Sequence, residues 1–294
     1  MLVQVRPGKT ASPLDQLVSP LTETEFLALL RERRVTHLRT ANDYYATWLG
    51  WEALRRLIER GEHSQESDHL RVSKESVMVP QRRWETDGKV DVAKLEEFLA
   101  KGFSLILTHI EPYVPPLAAL CDQIKSQLSE VSYAGVIVTS GTDGAFKLHF
   151  DFEDLIIVQI EGTKRWQIFG PPVSNAARNM PKPVPPQDTP PIFDEVLVPG
   201  DRLIVPAGNW HHCQAGPGRS IHLGVFVIPP TGWDAVRALT ARLLAEEMFR
   251  RPLTRLNGPA ETAALEAELK KGIIERVNQL KLDKFVAGWT KSKS

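Results

Sequence analysis

The chain has 294 residues, of which 42% are hydrophobic, and its 36 lysines and arginines balance its 36 aspartates and glutamates. This length and composition indicate one large packed domain, or a domain with an appendage, and the balanced charge gives no direct argument for nucleic-acid binding. The two cysteines are too few for a disulfide framework and fit the reducing cytosol. No long apolar stretch or apolar leader is present, so we expect a cytoplasmic protein without a membrane span.

Residues 1–132 alternate helical and strand patterns, and we expect them to form an α/β flank that packs on the rest of the chain. The first helix has a candidate capping residue in Thr22 or Thr24. Helices are predicted where apolar residues recur at helical spacing, over residues 22–34, 43–60, 91–100 and 115–128. Between them we expect strands over residues 35–40 and 103–110 and a polar, exposed loop over residues 62–68.

Residues 133–228 change to short apolar strands separated by glycine and proline turns. This pattern is typical of a double-stranded β-helix of the jelly-roll or cupin class, so the predicted fold is mainly β with flanking helices. Residues 170–191 interrupt it with eight prolines, and such a segment cannot join a central sheet. We expect a loop there, either near the mouth of a site, where it would grip a substrate, or as a plain spacer.

Residues 229–294 return to a helical pattern, with amphipathic helices predicted over residues 233–250 and 261–282. The first is expected to stop before Pro252, because proline cannot continue a helix. These helices would either cover the barrel or pair with a second chain.

His149 and Asp151, which are separated by a single residue, are candidate metal ligands. In a strand, residues i and i+2 point to the same face, so both side chains can reach one point. A third ligand is available after the turn at residues 206–208, where His211 and His212 point to opposite faces and we favour His211. Two imidazoles and one carboxylate suit a non-haem Fe(II) site, although a chance pairing beside a surface histidine gives the same short motif.

A lysine at the start of an apolar strand, Lys164, is a candidate anchor for a dicarboxylate. It follows a turn that links two apolar strands, so a hairpin would carry its ammonium group inside the barrel at a distance from the metal. 2-Oxoglutarate needs such a group, because one end chelates the metal and the other end needs a buried positive partner. Alternation lets only one of Lys164 and Arg165 face inward, and we favour Lys164; a solvated pair at the hairpin is the alternative.

The chain resembles the JmjC-type 2-oxoglutarate oxygenases, and within them the ribosomal oxygenases and the asparaginyl hydroxylase that inhibits the hypoxia-inducible factor. The motifs that carry the resemblance are HFD at residues 149–151, VQIEGTKRW at residues 158–166 and PGDRLIVPAGNWHH at residues 199–212. It is strong over residues 100–228. The resemblance implies Fe(II) bound by His149, Asp151 and His211, and 2-oxoglutarate bound through Lys164.

The resemblance also implies a polar group near the cosubstrate at His222, for which an ordinary core histidine is an equal alternative. Two positions depart from the family pattern, because Phe146 and Leu155 stand where some relatives have a threonine and an asparagine. Part of the polar wall around 2-oxoglutarate must therefore differ. Replacement donors are available in Thr139, Ser140 and Tyr133, of which we include Thr139 among the cosubstrate-binding residues.

The predicted function is an Fe(II)- and 2-oxoglutarate-dependent hydroxylase that acts on a protein or peptide side chain, with ribosomal proteins as the class that the resemblance implies, and releases succinate and carbon dioxide. The resemblance also implies a homodimer formed by the helices of residues 229–294. One alternative is a hydroxylase of a small molecule or free amino acid. Another is a cupin-like binding module without catalysis.

Overall fold

The helices before the barrel follow the predicted pattern with two differences. A computed structural model describes residues 12–39, 44–61, 69–128, 130–142, 144–181, 183–255 and 258–290, so the predicted loop at 62–68 and the start of the 43–60 helix lie outside the described residues. The helices are α1 Pro13–Val18, α2 Glu23–Arg31, α3 Ala46–Leu49, α4 Trp51–Arg60, α5 Val92–Ala100 and α6 Pro115–Leu128.

Helix α2 is capped by Thr22, not Thr24, and Glu25 completes a capping box with it. The single helix predicted over residues 43–60 is wrong, because Gly50 takes an extended conformation and divides α3 from α4. Helix α4 ends at Gly61, which adopts a left-handed conformation that glycine permits without strain. Helix α1 was not predicted; it is only one and a half turns long and begins at a proline after its Ser12 cap.

Thirteen strands are assigned within the described residues, and most of them form two antiparallel sheets. They are β1 Thr36–Leu38, β2 Leu70–Lys74, β3 Val77–Met78, β4 Glu85–Thr86, β5 Lys89–Val90, β6 Ser104–Thr108, β7 Val131–Ser140, β8 Asp154–Glu161, β9 Lys164–Phe169, β10 Phe193–Leu197, β11 Arg202–Val205, β12 Trp210–Ala215 and β13 Arg219–Ile228. The large sheet has the order β1-β11-β8-β13-β7-β6-β2-β3, and the small sheet has the order β10-β9-β12. Strands β4 and β5 form a separate hairpin.

The two sheets face each other across a small apolar core, which Leu155 and Leu203 enter from the large sheet and Trp166 and Ile168 enter from the small one. The opposite face of the large sheet packs against α1, α2 and α4–α6 in the main core of the protein. This arrangement confirms the double-stranded β-helix with flanking helices that the sequence predicts. The N-terminal residues also extend the large sheet, because β1 pairs with β11 at one edge and β6 pairs with β7 on the other side.

The described part of residues 170–191 contains neither helix nor strand, as predicted for the proline-rich segment. The chain then divides after Ile228 into a second unit that contains α7 Gly232–Ala245, α8 Pro259–Asn278 and α9 Leu282–Trp289. The helix predicted over residues 233–250 ends earlier, at Ala245, and a 3₁₀ turn follows. The helix predicted over residues 261–282 is interrupted, because Lys281 is extended and caps α9. None of the helices in the described ranges has both the length and the hydropathy to cross a bilayer.

Candidate metal centre and its cavity

Three side chains from distant parts of the sequence converge at one end of the barrel. His149 and Asp151 lie in the segment between β7 and β8, and His211 is the second residue of β12. His149 and His211 form an isolated antiparallel bridge, in which each backbone N–H donates to the other residue's carbonyl, at 3.1 and 2.7 Å. One ligand atom from each of the three residues lies within 4.8 Å of the other two. Only a bridge, and not the predicted strand, supports the His149–Asp151 segment.

Both imidazoles are oriented by backbone carbonyls. His149 Nδ1 lies 2.8 Å from the carbonyl of Lys147, and His211 Nδ1 lies 3.0 Å from the carbonyl of Asn209. A carbonyl can only accept, so both Nδ1 atoms carry a proton and Nε2 is the atom of each ring that is available to a metal. Those Nε2 atoms lie 4.0 and 3.6 Å from carboxylate oxygens of Asp151. The arrangement presents two imidazole nitrogens and a carboxylate to one point, which is a donor set for a divalent transition metal.

The His211 side chain is kept neutral by its surroundings. It is only 3% exposed. Burial, together with the nearby His149 ring, lowers the pKa of His211 to about 4. His212 points away and does not line the cavity, so the structure brings His211 rather than His212 to the other two side chains.

A sharp turn before β12 sets the position of His211. Gly208 has φ +84°, and a Cβ at this position would lie 2.2 Å from the carbonyl oxygen of Val173. Its N–H donates to the carbonyl of Asp151 at 2.8 Å, which ties the turn directly to the segment that carries the other ligands. Only glycine fits this combination of conformation and close approach. The predicted turn at residues 206–208 is therefore confirmed.

Lys164 is fully buried between the two sheets. Its Nζ lies 3.3 Å from Thr139 Oγ1 and 3.2 Å from His222 Nδ1, so the three predicted cosubstrate-binding residues lie together. No carboxylate in the described ranges forms an ion pair with it, and burial lowers the pKa of its ammonium group. Arg165 faces outward instead, where its Nε donates to Asp194 at 2.6 Å. An ammonium group buried without a counter-charge fits an anionic ligand that the protein itself does not supply.

His222 completes this polar end as a neutral donor. Burial, and secondarily the charge of Lys164, holds its pKa well below the usual range. Because Lys164 can only donate, His222 Nδ1 accepts and Nε2 carries the ring proton. Thr139 shares a hydrogen bond of 2.9 Å with Ser104 behind it. Of the other proposed donors, Ser140 lies on the opposite side of β7 from Thr139 because neighbouring residues of a strand alternate.

The three converging side chains open into a cavity of about 300 Å³. His222 belongs to its wall, so the polar end around Lys164 adjoins the cavity. The two departures from the family pattern also lie in the wall, where the Phe146 ring is 5.3 Å from the His149 ring and Leu155 belongs to the small core. Most of the remaining wall is apolar.

Sequence reasoning missed two charged groups of the wall, Glu153 and Arg71, and placed Tyr133 among the 2-oxoglutarate donors. The Tyr133 hydroxyl instead donates to Glu153 at 3.3 Å, and its ring stacks on Phe226 at 4.6 Å. Burial, with the nearby Asp151 carboxylate, raises the pKa of Glu153 to about 7. A glutamate two residues after a metal-ligand aspartate is a signal that could have drawn attention to this position.

Residues 108–234 match the family model of the JmjC domain. Among curated proteins, the chain is 26% identical over 205 residues to the bifunctional lysine-specific demethylase and histidyl-hydroxylase NO66 of Drosophila willistoni, covering 67% of this chain and 26% of that protein. It is 26% identical over 260 residues to ribosomal oxygenase 1 of Bos taurus, covering 84% of this chain and 38% of that protein. The chain thus spans well under half the length of these relatives.

Among solved structures, the chain is similar to YcfD, a ribosomal oxygenase from Escherichia coli, in complex with cobalt and succinic acid. The TM-score is 0.59 at 19% identity, with 92% of this chain and 70% of that chain covered. The same protein in complex with cobalt and 2-oxoglutarate gives a TM-score of 0.58 at 19% identity. These findings confirm the JmjC-type fold and the resemblance to ribosomal oxygenases that the sequence indicates.

Proposed function

We propose that this chain, which carries a JmjC domain, is an Fe(II)- and 2-oxoglutarate-dependent hydroxylase that acts on a protein or peptide side chain. The observation that carries the proposal is the convergence of His149, Asp151 and His211 within 4.8 Å, beside a buried lysine that has no carboxylate partner among the described residues. The metal triad alone fits several chemistries. The triad together with Lys164 fits a metal that works with a dicarboxylate cosubstrate.

In the proposed site, His149 and His211 would hold the metal through Nε2, and Asp151 through its carboxylate. Their backbone partners, the carbonyls of Lys147 and Asn209, fix both rings before any metal binds. Bound iron with 2-oxoglutarate supplies oxidative chemistry in which dioxygen is consumed, one oxygen atom enters the acceptor, and succinate and carbon dioxide are released. The protein contributes the geometry of the ligands, the orientation of the cosubstrate and an apolar cavity that excludes water.

Lys164 would hold the distal carboxylate of 2-oxoglutarate, assisted by Thr139 Oγ1 and by the ring N–H of His222. Lys164 already donates to both of these groups, so a bound carboxylate would join an ordered polar cluster rather than create one. This explains how the site can lack the threonine and asparagine found in some relatives at the positions of Phe146 and Leu155.

The test is a measurement of succinate formation by the purified protein with Fe(II), 2-oxoglutarate and a panel of peptides and free amino acids. Turnover that depends on a peptide, with a mass gain of one oxygen atom on that peptide, is the expected result. Turnover with free amino acids but with none of the peptides would favour the small-molecule alternative, for which the limited volume of the cavity is the supporting observation. Tight binding of metal and 2-oxoglutarate without succinate formation would favour a binding module.

We further propose that residues 1–132 form a flank, residues 133–228 the catalytic core and residues 229–294 a dimerisation segment whose partner is a second copy of this chain. Apolar side chains are exposed along all three helices of the C-terminal unit, including Trp233 at 51%, Ile274 at 59% and Leu282 at 60%. The substitution Ile274→Glu should convert a dimer to a monomer in light scattering. Val184→Glu, at an exposed apolar residue of the proline-rich segment, is the matched control.

The two free cysteines, Cys121 and Cys213, support the proposal that the protein works in a reducing compartment such as the cytosol. Ribosomal proteins remain the substrate class to test first, since the relatives named above are ribosomal oxygenases.

A further inference from the structure

Arg71 is the only lysine or arginine in the wall of the metal-centre cavity, as far as the structure describes the chain. Arg71 lies on β2 and pairs with Ile106 of the neighbouring strand β6. Ile106 pairs in turn with Ile137 of β7, and Ile137 pairs with His222 of β13. Residues directly opposite one another in neighbouring strands share a face of the sheet. Arg71 therefore points to the same side of the large sheet as His222 and projects over the cavity.

Among the residues that the structure describes, the Arg71 guanidinium has no hydrogen-bond or ion-pair partner. Its Nε is buried without a hydrogen bond, and none of the described residues forms an ion pair with the side chain. The next residues on the same face of the sheet, Ile106 and Ile137, are apolar and cannot form a hydrogen bond or an ion pair with the guanidinium. Partial burial of a guanidinium beside aliphatic side chains costs desolvation free energy, which a bound ligand of opposite charge would offset.

The cosubstrate does not explain this group. Arg71 and His222 are separated by three steps between strands, each about 4.8 Å, so their backbones lie about 14 Å apart along the sheet. Lys164 touches His222 at 3.2 Å and already serves the distal carboxylate in the proposed site. Arg71 therefore lies in a part of the cavity wall that is distant from the polar end around Lys164.

Glu153, the acidic group of the same wall, differs from Arg71 because it already has a partner. It accepts a hydrogen bond from the Tyr133 hydroxyl at 3.3 Å. The ring of Phe152, which precedes it, lies under the guanidinium of Arg178 at 4.7 Å. Of these two charged side chains, Glu153 has a hydrogen-bond partner in the described structure and Arg71 does not. A ligand that supplies negative charge next to Arg71 would therefore fit the cavity.

We propose that Arg71 selects the substrate by binding a carboxylate on the residue or molecule that is oxidised. The planar fork of a guanidinium matches a carboxylate with two parallel hydrogen bonds, which gives both affinity and orientation. The inference rests on the proposed function of the site and adds its substrate class, an acidic acceptor. The carboxylate belongs either to an aspartate or glutamate side chain in a peptide or to a free acidic amino acid.

The experiment begins with protein loaded with Mn(II) and N-oxalylglycine, a non-reactive analogue of 2-oxoglutarate, so that binding can be measured without turnover. Calorimetry first shows whether metal and analogue bind. If neither metal nor analogue binds, the proposed function is wrong. The inference about Arg71 then fails with it, because it rests on that function. The loaded protein is then applied to a peptide array in which a central residue is varied through the standard amino acids.

We expect peptides with central aspartate or glutamate to be retained about tenfold or more over the asparagine or glutamine peptides of the same shape. Arg71→Gln should abolish this preference, and Arg71→Glu should shift it towards lysine and arginine. Arg82→Glu, at an exposed arginine outside the cavity, should leave the preference unchanged. Unchanged thermal melting and Mn(II) affinity in the Arg71 variants show that they are folded.

Two results would overturn the inference. The first is retention that does not distinguish acids from amides, or that is the same in Arg71→Glu. The second is a loss of N-oxalylglycine affinity in Arg71→Gln, which would place Arg71 at the cosubstrate. Competition with free aspartate and glutamate then identifies the source of the carboxylate, because displacement of the peptides by the free amino acids would indicate a small-molecule substrate and its absence a protein substrate.

Discussion

Replacement of Lys164 by methionine should separate the function of the cavity from the stability of the fold. Methionine has nearly the length of lysine and fits the same space between the sheets, but it carries neither the charge nor the donors. Lys164 is fully buried, and its bonds to Thr139 and His222 are its only polar contacts in the described structure.

The expected loss in cosubstrate binding follows from the missing ammonium group. A hydrogen bond to a charged group contributes about 1.5–3 kcal/mol, and a carboxylate left buried without it incurs a further penalty of about 1 kcal/mol or more. The dissociation constant for 2-oxoglutarate should therefore rise about 100-fold, within roughly a factor of ten either way. Metal affinity should stay nearly the same, because none of the three ligand side chains contacts Lys164.

The expected effect on stability has the opposite sign. Burial of the ammonium group costs several kcal/mol, and its two hydrogen bonds return only part of that cost. Methionine removes the burial cost but leaves His222 Nδ1 without its donor, so the net gain should be about 1–2 kcal/mol. For a chain of this size, the melting temperature of the metal-free protein should rise by about 2–8 °C.

Calorimetric titration of 2-oxoglutarate into the Mn(II)-loaded protein and thermal melting of the metal-free protein measure the two effects. Arg165→Met is the matched control, because that arginine is adjacent, exposed and paired with Asp194 at the surface. An unchanged affinity for 2-oxoglutarate would show that another cation binds the cosubstrate. A melting temperature lowered by several degrees would show that Lys164 stabilises the fold, contrary to the burial argument.

Three further predictions concern the metal ligands, the charge of the anchor and the turn before β12. His211→Ala should abolish stoichiometric metal binding in elemental analysis, whereas His212→Ala should retain it; the reverse result would exchange the ligand assignment. Because burial lowers the pKa of Lys164 and a bound carboxylate raises it, 2-oxoglutarate affinity should fall as pH rises through the free-state pKa, by up to about tenfold per pH unit, and Lys164→Arg should remove this dependence. Gly208→Ala should cost about 3 kcal/mol or more in urea unfolding, against about 1 kcal/mol for Gly218→Ala, which has a similar φ but open space around it; equal costs would mean that the contact with Val173 relaxes freely.

The barrel strands could be predicted because their signals are local. Short apolar runs bounded by glycine or proline turns mark β8 and β11 in the sequence itself, and alternating residues mark β9. Helix boundaries were harder, because the break at Gly50 depends on an extended conformation that the surrounding helical pattern does not reveal. Strand β2 is short and carries charges, so it acquires its identity only through pairing with β6.

The same distinction separates the parts of the site that could be predicted from those that could not. His149 and Asp151 are two residues apart, and Lys164 follows in the next hairpin. Their spacing alone therefore predicts that they belong to one site. Arg71 reaches the cavity through three successive strand pairings between distant segments, which a single sequence does not show. The alternation in residues 70–73, with Leu70 and Val72 in the main core, is the one local hint that Arg71 faces the other way.

The charges of the cavity give an independent reason to expect an acidic substrate. With the proposed Fe(II) and 2-oxoglutarate in place, the metal and Lys164 together balance Asp151 and the two carboxylates of the cosubstrate. Glu153, the other acidic group of the wall, already accepts a hydrogen bond from the Tyr133 hydroxyl at 3.3 Å. The Arg71 charge then remains without an ion-pair partner among the described residues, in a cavity from which the entering substrate displaces water. A neutral or basic substrate would leave the Arg71 charge unpaired in a low-dielectric space, whereas a substrate carboxylate would neutralise it. The difference in binding free energy between the two kinds of substrate increases as water is excluded from the cavity.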